Sequence, residues 1–240
     1  MGDDTGVIVV AGGSGRRMGT TVPKQFLELC GRPVLMHTVE RFRSALPEAK
    51  IVVVLPETEI SRWRELCEKH NFGVEHTVEK GGETRFHSVR NGLRHLSACE
   101  YVGVQDGVRP LVSRTVILSA LNSAQEYGAA VPVVAVTDSL REIVSVPENS
   151  TSEPAASRIA DRTIFRAVQT PQFFRGKMLR TAYETAYRPS FTDDASVVEA
   201  AGYRVALSEG DSRNIKITAP ADLIIAEALL RAEENATKIR

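Results

Sequence analysis

Apolar residues in this chain occur in two arrangements that alternate along its first half. GVIVVA (6–11), IVVVL (51–55), YVGVQ (101–105) and AAVPVVAV (129–136) are short, nearly unbroken runs rich in β-branched side chains. Runs of this length and type predict strands buried on both faces. Between them the apolar positions thin to helical spacing. In PVLMHTVERFRSA (33–45), Leu35, Val39 and Phe42 fall at i, i+4 and i+7, one stripe of a helix. Charged amphipathic segments predict further helices from about Glu57 to His70 and from about Glu83 to Leu96. A third runs from Ser113, a capping residue, to Tyr127. GVEHTV (73–78) reads as a weaker strand.

The alternation breaks between Thr137 and Arg166. SVPENSTSEPAAS (145–157) is too polar for a core, and it lies between LREIV (140–144) and TIFRAV (163–168), both β-prone. The expectation is a hairpin arm over 137–166 with an exposed tip; an arm that buries little by itself commonly packs on a partner subunit. Beyond it the pattern predicts helices near 175–186 and 193–201, a strand YRVAL (203–207), and a last helix from about Pro220, with proline in its first turn. The whole is expected to be one domain, 1–240. Its class is α/β, a Rossmann-like three-layer αβα arrangement with a mostly parallel central sheet and a protruding β-arm.

Composition narrows the partners. Lys+Arg and Asp+Glu are each 30 among 240 residues, a formal net charge of zero, which argues against a nucleic-acid duplex as ligand. A local basic pocket for a small anion remains open. Cys30, Cys67 and Cys99 form no CxxC pair, so neither a disulfide framework nor a cysteine zinc site is expected. No stretch reaches the length of a membrane span, and from the acidic start no signal peptide is expected. The expectation is a soluble, cytoplasmic protein.

The first strand ends in AGGSGRRMGTTVPK (11–24). The dinucleotide fingerprint GxGxxG needs glycine where Met18 stands, and no Gly-Lys pair makes a P-loop. The residues still suit a phosphate. Glycines let the backbone approach a ligand and aim N–H groups at it, while Arg16, Arg17 and Lys24 supply charge. A plain strand-to-helix turn with solvated arginines is the competing reading.

AGGSGRRM followed by PKQFLELCGRPVLMHTVERF resembles the start of the sugar-phosphate nucleotidylyltransferases. GGETRFHSVRNGL (81–93), VQDGVRP (104–110), VAVTDSLRE (134–142), DRTIFRAVQTPQFF (161–174), TDDAS (192–196) and NIKIT (214–218) then follow in the order of one subgroup. That subgroup is the 2-C-methyl-D-erythritol 4-phosphate cytidylyltransferases. The resemblance implies CTP and a sugar-alcohol phosphate as substrates, Mg²⁺ as cofactor, and a homodimer in which each arm closes the other subunit's site. It implies that Arg17, Lys24, Arg162 and Lys216 are the catalytic cations. Ala11, Gly12, Gly13, Ser14, Gly15, Gly82, Glu83 and Ser88 would bind CTP. Asp106, Arg109, Ser139, Thr170 and Thr192 would bind the acceptor, with Asp106 also a Mg²⁺ contact. The nucleophile would be a phosphate oxygen, already anionic at neutral pH, so no serine or cysteine nucleophile is required.

Several positions depart from the subgroup's usual pattern: Gln105 where histidine is common, Gly107 and Val108 in place of Ala-Ala or Ala-Val, Ser139 for threonine, and a longer arm tip. All touch the acceptor side. They leave ribitol 5-phosphate as an alternative acceptor, and a non-catalytic nucleotide-binding homologue as a third reading that the intact Arg17, Lys24 and Lys216 oppose.

Overall fold

The computed structural model describes residues 4–12, 22–145 and 156–238. Gly13, Ser14, Gly15 and Arg17 lie outside the described residues, as does most of the arm tip.

Strands β1 (Thr5–Val10), β4 (Lys50–Leu55), β5 (Thr77–Lys80), β6 (Tyr101–Asp106), β7 (Ala129–Ala135), β10 (Arg166–Val168), β11 (Gln172–Arg175) and β12 (Ala206–Glu209) form an eight-stranded sheet among the described residues. Two short strands, β2 (Glu28–Leu29) and β3 (Arg32–Pro33), make a small separate ladder, and β8 (Leu140–Ser145) pairs with β9 (Ala156–Ala160) as the arm. In the main sheet β5, β4, β1 and β6 pair in parallel. β11 then inserts antiparallel between β6 and β7, β10 prolongs that antiparallel edge along the far end of β7, and β12 flanks β7 on its other side in parallel. The sheet is therefore mostly parallel, as the apolar runs imply.

Helices cover both faces. On one, α1 (Val34–Ala45), α2 (Ile60–Lys69) and α4 (Arg114–Tyr127) bury Phe42, Trp63 and Ile117 against the sheet. On the other, α3 (Arg85–Leu93), α5 (Gly176–Ala182) and α6 (Asp194–Ala200) bury Phe86, Leu179 and Val198. The last helix, α7 (Pro220–Lys238), packs on β2, Val108 and Ile217 as a third cluster. Side chains buried to this degree contribute about 1.5–3 kcal/mol each, which is what holds the layers together.

Three expectations need correction. The strand sought at 203–207 is displaced to Ala206–Glu209, and the strand sought at 73–78 begins only at Thr77. Val74 and His76 instead turn towards Trp63: the His76 ring receives the Trp63 Nε1–H at 2.9 Å through Nε2, and its Nδ1 faces the Val74 carbonyl at 2.7 Å. The arm's returning strand is Ala156–Ala160, not 163–168; Arg166–Val168 joins the main sheet beside β7.

Candidate active site

The strands β1, β4, β5 and β6 all deliver their carboxyl ends to one cleft of about 520 Å³. This is where open α/β sheets hold ligands. Val10, Ala11 and Gly12 follow β1, Pro56–Thr58 follow β4, and Gly81–Arg85 with Ser88 come from the turn between β5 and α3. Asp106 and Val108 come from the end of β6, and Lys24, Gln25 and Lys216 complete the lining. Ala11, Gly12, Gly82, Glu83, Ser88, Asp106, Lys24 and Lys216 are thus brought together from distant parts of the sequence.

Lys24 sits in a short 3-10 turn, Lys24–Phe26, opened by Pro23 and anchored by buried Phe26, whose ring lies 6.3 Å from that of Trp63. Its charge lies near Asp222. Burial pushes the Asp222 carboxyl up, but the Thr218 and Ala219 amides and then Lys24 bring it below its ordinary range. Lys216 is placed by its neighbour: buried Ile217 donates its N–H to the Val108 carbonyl at 2.9 Å. From there the Lys216 ammonium reaches Asp106 Oδ2 at 3.0 Å.

Asp106 is the electrostatic centre. It is 8% exposed, and burial alone would raise its pKa. Arg85, then Lys216 and Arg109, outweigh that and hold the carboxyl down to about 2. Arg85 Nε stands 3.7 Å from Oδ1, and Arg109 Nε 3.5 Å from Oδ2. The Asp106 N–H donates to the Thr170 hydroxyl at 3.1 Å. Arg109 is buried and also donates to the Asn214 carbonyl at 2.6 Å, so this side chain joins Asp106 to the loop that carries Lys216.

The loop over the cleft is braced from within. Ser88 Oγ accepts the Gly82 N–H at 3.1 Å and donates to the Thr84 carbonyl at 3.0 Å. A Cβ at Gly82 would stand 2.4 Å from the His87 Cβ, so only glycine fits there. Glu83 is exposed at the rim. Gly107 is equally constrained: a Cβ there would lie 2.9 Å from that of Ala11, where the ends of β6 and β1 converge.

Ser139, Arg162 and Thr192 are exposed and do not line the cleft. Arg162 donates to the Thr137 carbonyl at the arm root. Sequence reasoning passed over Arg85 and Asp194, although both stand inside the motifs it quoted. Arg85 Nη2 donates to Asp194 Oδ2 at 2.6 Å, and Asp194 is fully buried. Asp193 caps α6, accepting the Ser196 N–H at 2.9 Å, while Asp194 points inward.

A mostly parallel α/β sheet that gathers Lys24, Arg85, Asp106 and Lys216 at the carboxyl ends of its strands is the arrangement of a nucleotide-handling enzyme. Comparison with known proteins is specific. The family model described as 2-C-methyl-D-erythritol 4-phosphate cytidylyltransferase (IspD) matches residues 5–232. A protein of that name from Bacteroides thetaiotaomicron is 50% identical over 93% of this chain and 98% of its own length. One from Geobacillus kaustophilus is 40% identical over 93% of this chain and 95% of its own length. The crystal structure of the Thermus thermophilus 2-C-methyl-D-erythritol 4-phosphate cytidylyltransferase superposes with a TM-score of 0.71 at 37% identity, covering 96% of this chain and 100% of that one. The chain belongs to the 2-C-methyl-D-erythritol 4-phosphate cytidylyltransferase family. Among the described residues, no helix is long and apolar enough to cross a membrane.

Proposed function

We propose that the cleft binds CTP and 2-C-methyl-D-erythritol 4-phosphate side by side and transfers the cytidylyl group between them. The products are 4-diphosphocytidyl-2-C-methyl-D-erythritol and pyrophosphate. The observation that carries this reading is the convergence of Lys24 and Lys216, from opposite ends of the chain, on one cleft at the strand ends of β1 and β6. The acceptor phosphate oxygen attacks the α-phosphorus in line as pyrophosphate departs, and what the protein supplies is position and charge. Lys24, with Arg17 of the glycine loop, holds the triphosphate; Lys216 orients the incoming phosphate. Gly12 and the Gly82–Ser88 turn let the backbone come close to the nucleotide, with Glu83 as an acceptor at the rim. The family match and the relatives favour methylerythritol phosphate over ribitol 5-phosphate as acceptor.

Mg²⁺ belongs to this reading as a companion of the nucleotide. Among the described residues no three His, Cys, Asp or Glu side chains gather to form a cage. Asp106 is the one buried carboxylate among the described residues lining the cleft, and its oxygens already face three cations. A Mg²⁺ ion arriving with CTP would be held chiefly by its phosphates, as this ion commonly is, with Asp106 the cleft carboxylate available to it, and it would supply charge neutralisation there. The arm completes the picture. It exposes Ile143 at 56% and Ile159 at 79%, apolar side chains suited to a second copy, and we assign it to a homodimer that brings Ser139 and Arg162 to the partner's acceptor site, with Thr192 beside it.

Pyrophosphate release measured with CTP and each acceptor tests the assignment. Methylerythritol phosphate is expected to support release far better than ribitol 5-phosphate; equal or reversed rates overturn the acceptor. Lys24→Ala and Lys216→Ala are each expected to lower turnover by about 10²–10³. Wild-type rates in both refute the roles given to these lysines.

A further inference from the structure

Behind the cleft lies a run of buried polar groups that the reaction, as set out above, does not use. The Tyr183 hydroxyl, on the turn that ends α5, donates to Asp194 Oδ1 at 2.6 Å. Asp194 Oδ2 accepts from Arg85 Nη2 at 2.6 Å, and the same guanidinium sets its Nε 3.7 Å from Asp106 Oδ1. Tyr183 is 2% exposed and Asp194 0%. Each group has a partner: the tyrosine donates, the inner carboxylate accepts on both oxygens, and the arginine fork spans two carboxylates. Burying this many charges costs several kcal/mol per ion before pairing, so packing alone gives no reason to keep them. The run also crosses the fold. Arg85 begins α3 just after the Gly82 turn, while Asp194 begins α6 two residues after Thr192. Gln172 on β11 clamps that second start, donating to Asp193 Oδ2 at 2.8 Å and accepting the Ala195 N–H at 2.9 Å.

We propose that Arg85 is a positioning residue for cytidylyl transfer: held by Asp194 and Tyr183, it fixes the Asp106 carboxylate from behind, and Asp106 in turn fixes Lys216. The reach of each member is set by the next. Lys216 has a flexible stem and a half-exposed side chain, 43% open, so its ammonium needs a fixed counter-charge to stay aimed. Asp106 can serve only if its own carboxyl does not rotate. Lys216 and Arg109 both approach Oδ2, whereas Arg85 is the ion-pair partner on Oδ1. A lysine at position 85 could not bridge two carboxylates as the planar fork does. The proposal deepens the site assigned above and rests on it.

Steady-state kinetics of Arg85→Gln and of the double variant Arg85→Gln/Asp194→Asn test the role. The single change strands a buried carboxylate and can cost the fold; the double change removes both charges together and keeps the enzyme measurable. In the double variant kcat is expected to fall by about 10–100-fold while KM for CTP stays within about 3-fold of wild type, the signature of a lost aim rather than lost binding. Circular dichroism at the assay temperature confirms that the protein compared is folded. Wild-type kcat in the folded double variant overturns the proposal. So does a rise in KM for CTP with kcat preserved, which would make Arg85 a nucleotide ligand. Lys216→Ala, assayed alongside, separates the two claims. Wild-type turnover there sinks the site assignment and the positioning role with it; its loss there, with wild-type turnover in the double variant, sinks the positioning role alone.

Discussion

Asp106 is buried yet charged, and only the cations around it make that possible. Burial raises a carboxyl pKa, whereas three cations within 4 Å lower it, and here the cations win. The sign of the stability effect follows. Its folded pKa, about 2, lies below the ordinary value of 3.8, so the stabilisation is complete above about pH 4 and is lost as pH falls through 2. At 1.36 kcal/mol per unit, the amount at stake is on the order of 2 kcal/mol. Thermal midpoints measured from pH 5 to pH 2 are expected to fall more steeply for the wild type than for Asp106→Asn. Parallel curves would show that the carboxylate is not held in this way.

Helix α4 shows what an element owes to its ends. Ser113 Oγ accepts the Val116 N–H at 3.2 Å, and Gly128, at φ 91°, closes the far end in the left-handed region that favours glycine. Ser113→Ala is expected to cost about 1 kcal/mol, read as a lower urea midpoint, with turnover unchanged because the residue lies outside the cleft. This helix and the buried strands were legible in sequence because one physical variable, apolar periodicity, decides them. Elements decided by specific partners were not. Residues 73–76 look like a strand until Trp63 claims His76. β9 (ASRIA) carries little apolar signal, and its pairing with β8 rests on cross-strand contacts such as Arg158–Glu142 at 2.7 Å and Arg141–Ser157 at 2.8 Å. The site divides in the same way. Lys24, Gly82, Asp106 and Lys216 could be found in quoted motifs, and they share one cleft. Arg85 and Asp194 could not be ranked from spacing, since their meaning lies in a contact between residues 109 positions apart.

At the scale of the molecule the arm is the element least satisfied by its own chain. In the β8–β9 register Ile143 stands opposite Ser157 and Arg141 opposite Ile159, which puts the two isoleucines on one face. If the arm makes the proposed homodimer, the wild type is expected to sediment as a dimer and the double variant Ile143→Asp/Ile159→Asp, at the same concentration, as a monomer. Turnover per chain should drop at least about tenfold if the arm completes the partner's site. A dimer with full activity would refute that assignment.

The insertion of β11 between β6 and β7 has a consequence for how the chain comes to be folded. A nascent polypeptide ending before Gln172 has already made five of the six strands that run in one direction, yet the central seam between β6 and β7 has no strand to close it. Thr170, Asp194 and Lys216 also come from the last third of the chain, so Asp106 gains two of its partners, and Arg85 its anchor, only late. During synthesis the N-terminal half therefore waits with bare strand edges, the condition under which chains of high contact order are most exposed to aggregation. A ribosome that stalls before this seam closes releases a fragment that is both unsafe and inactive.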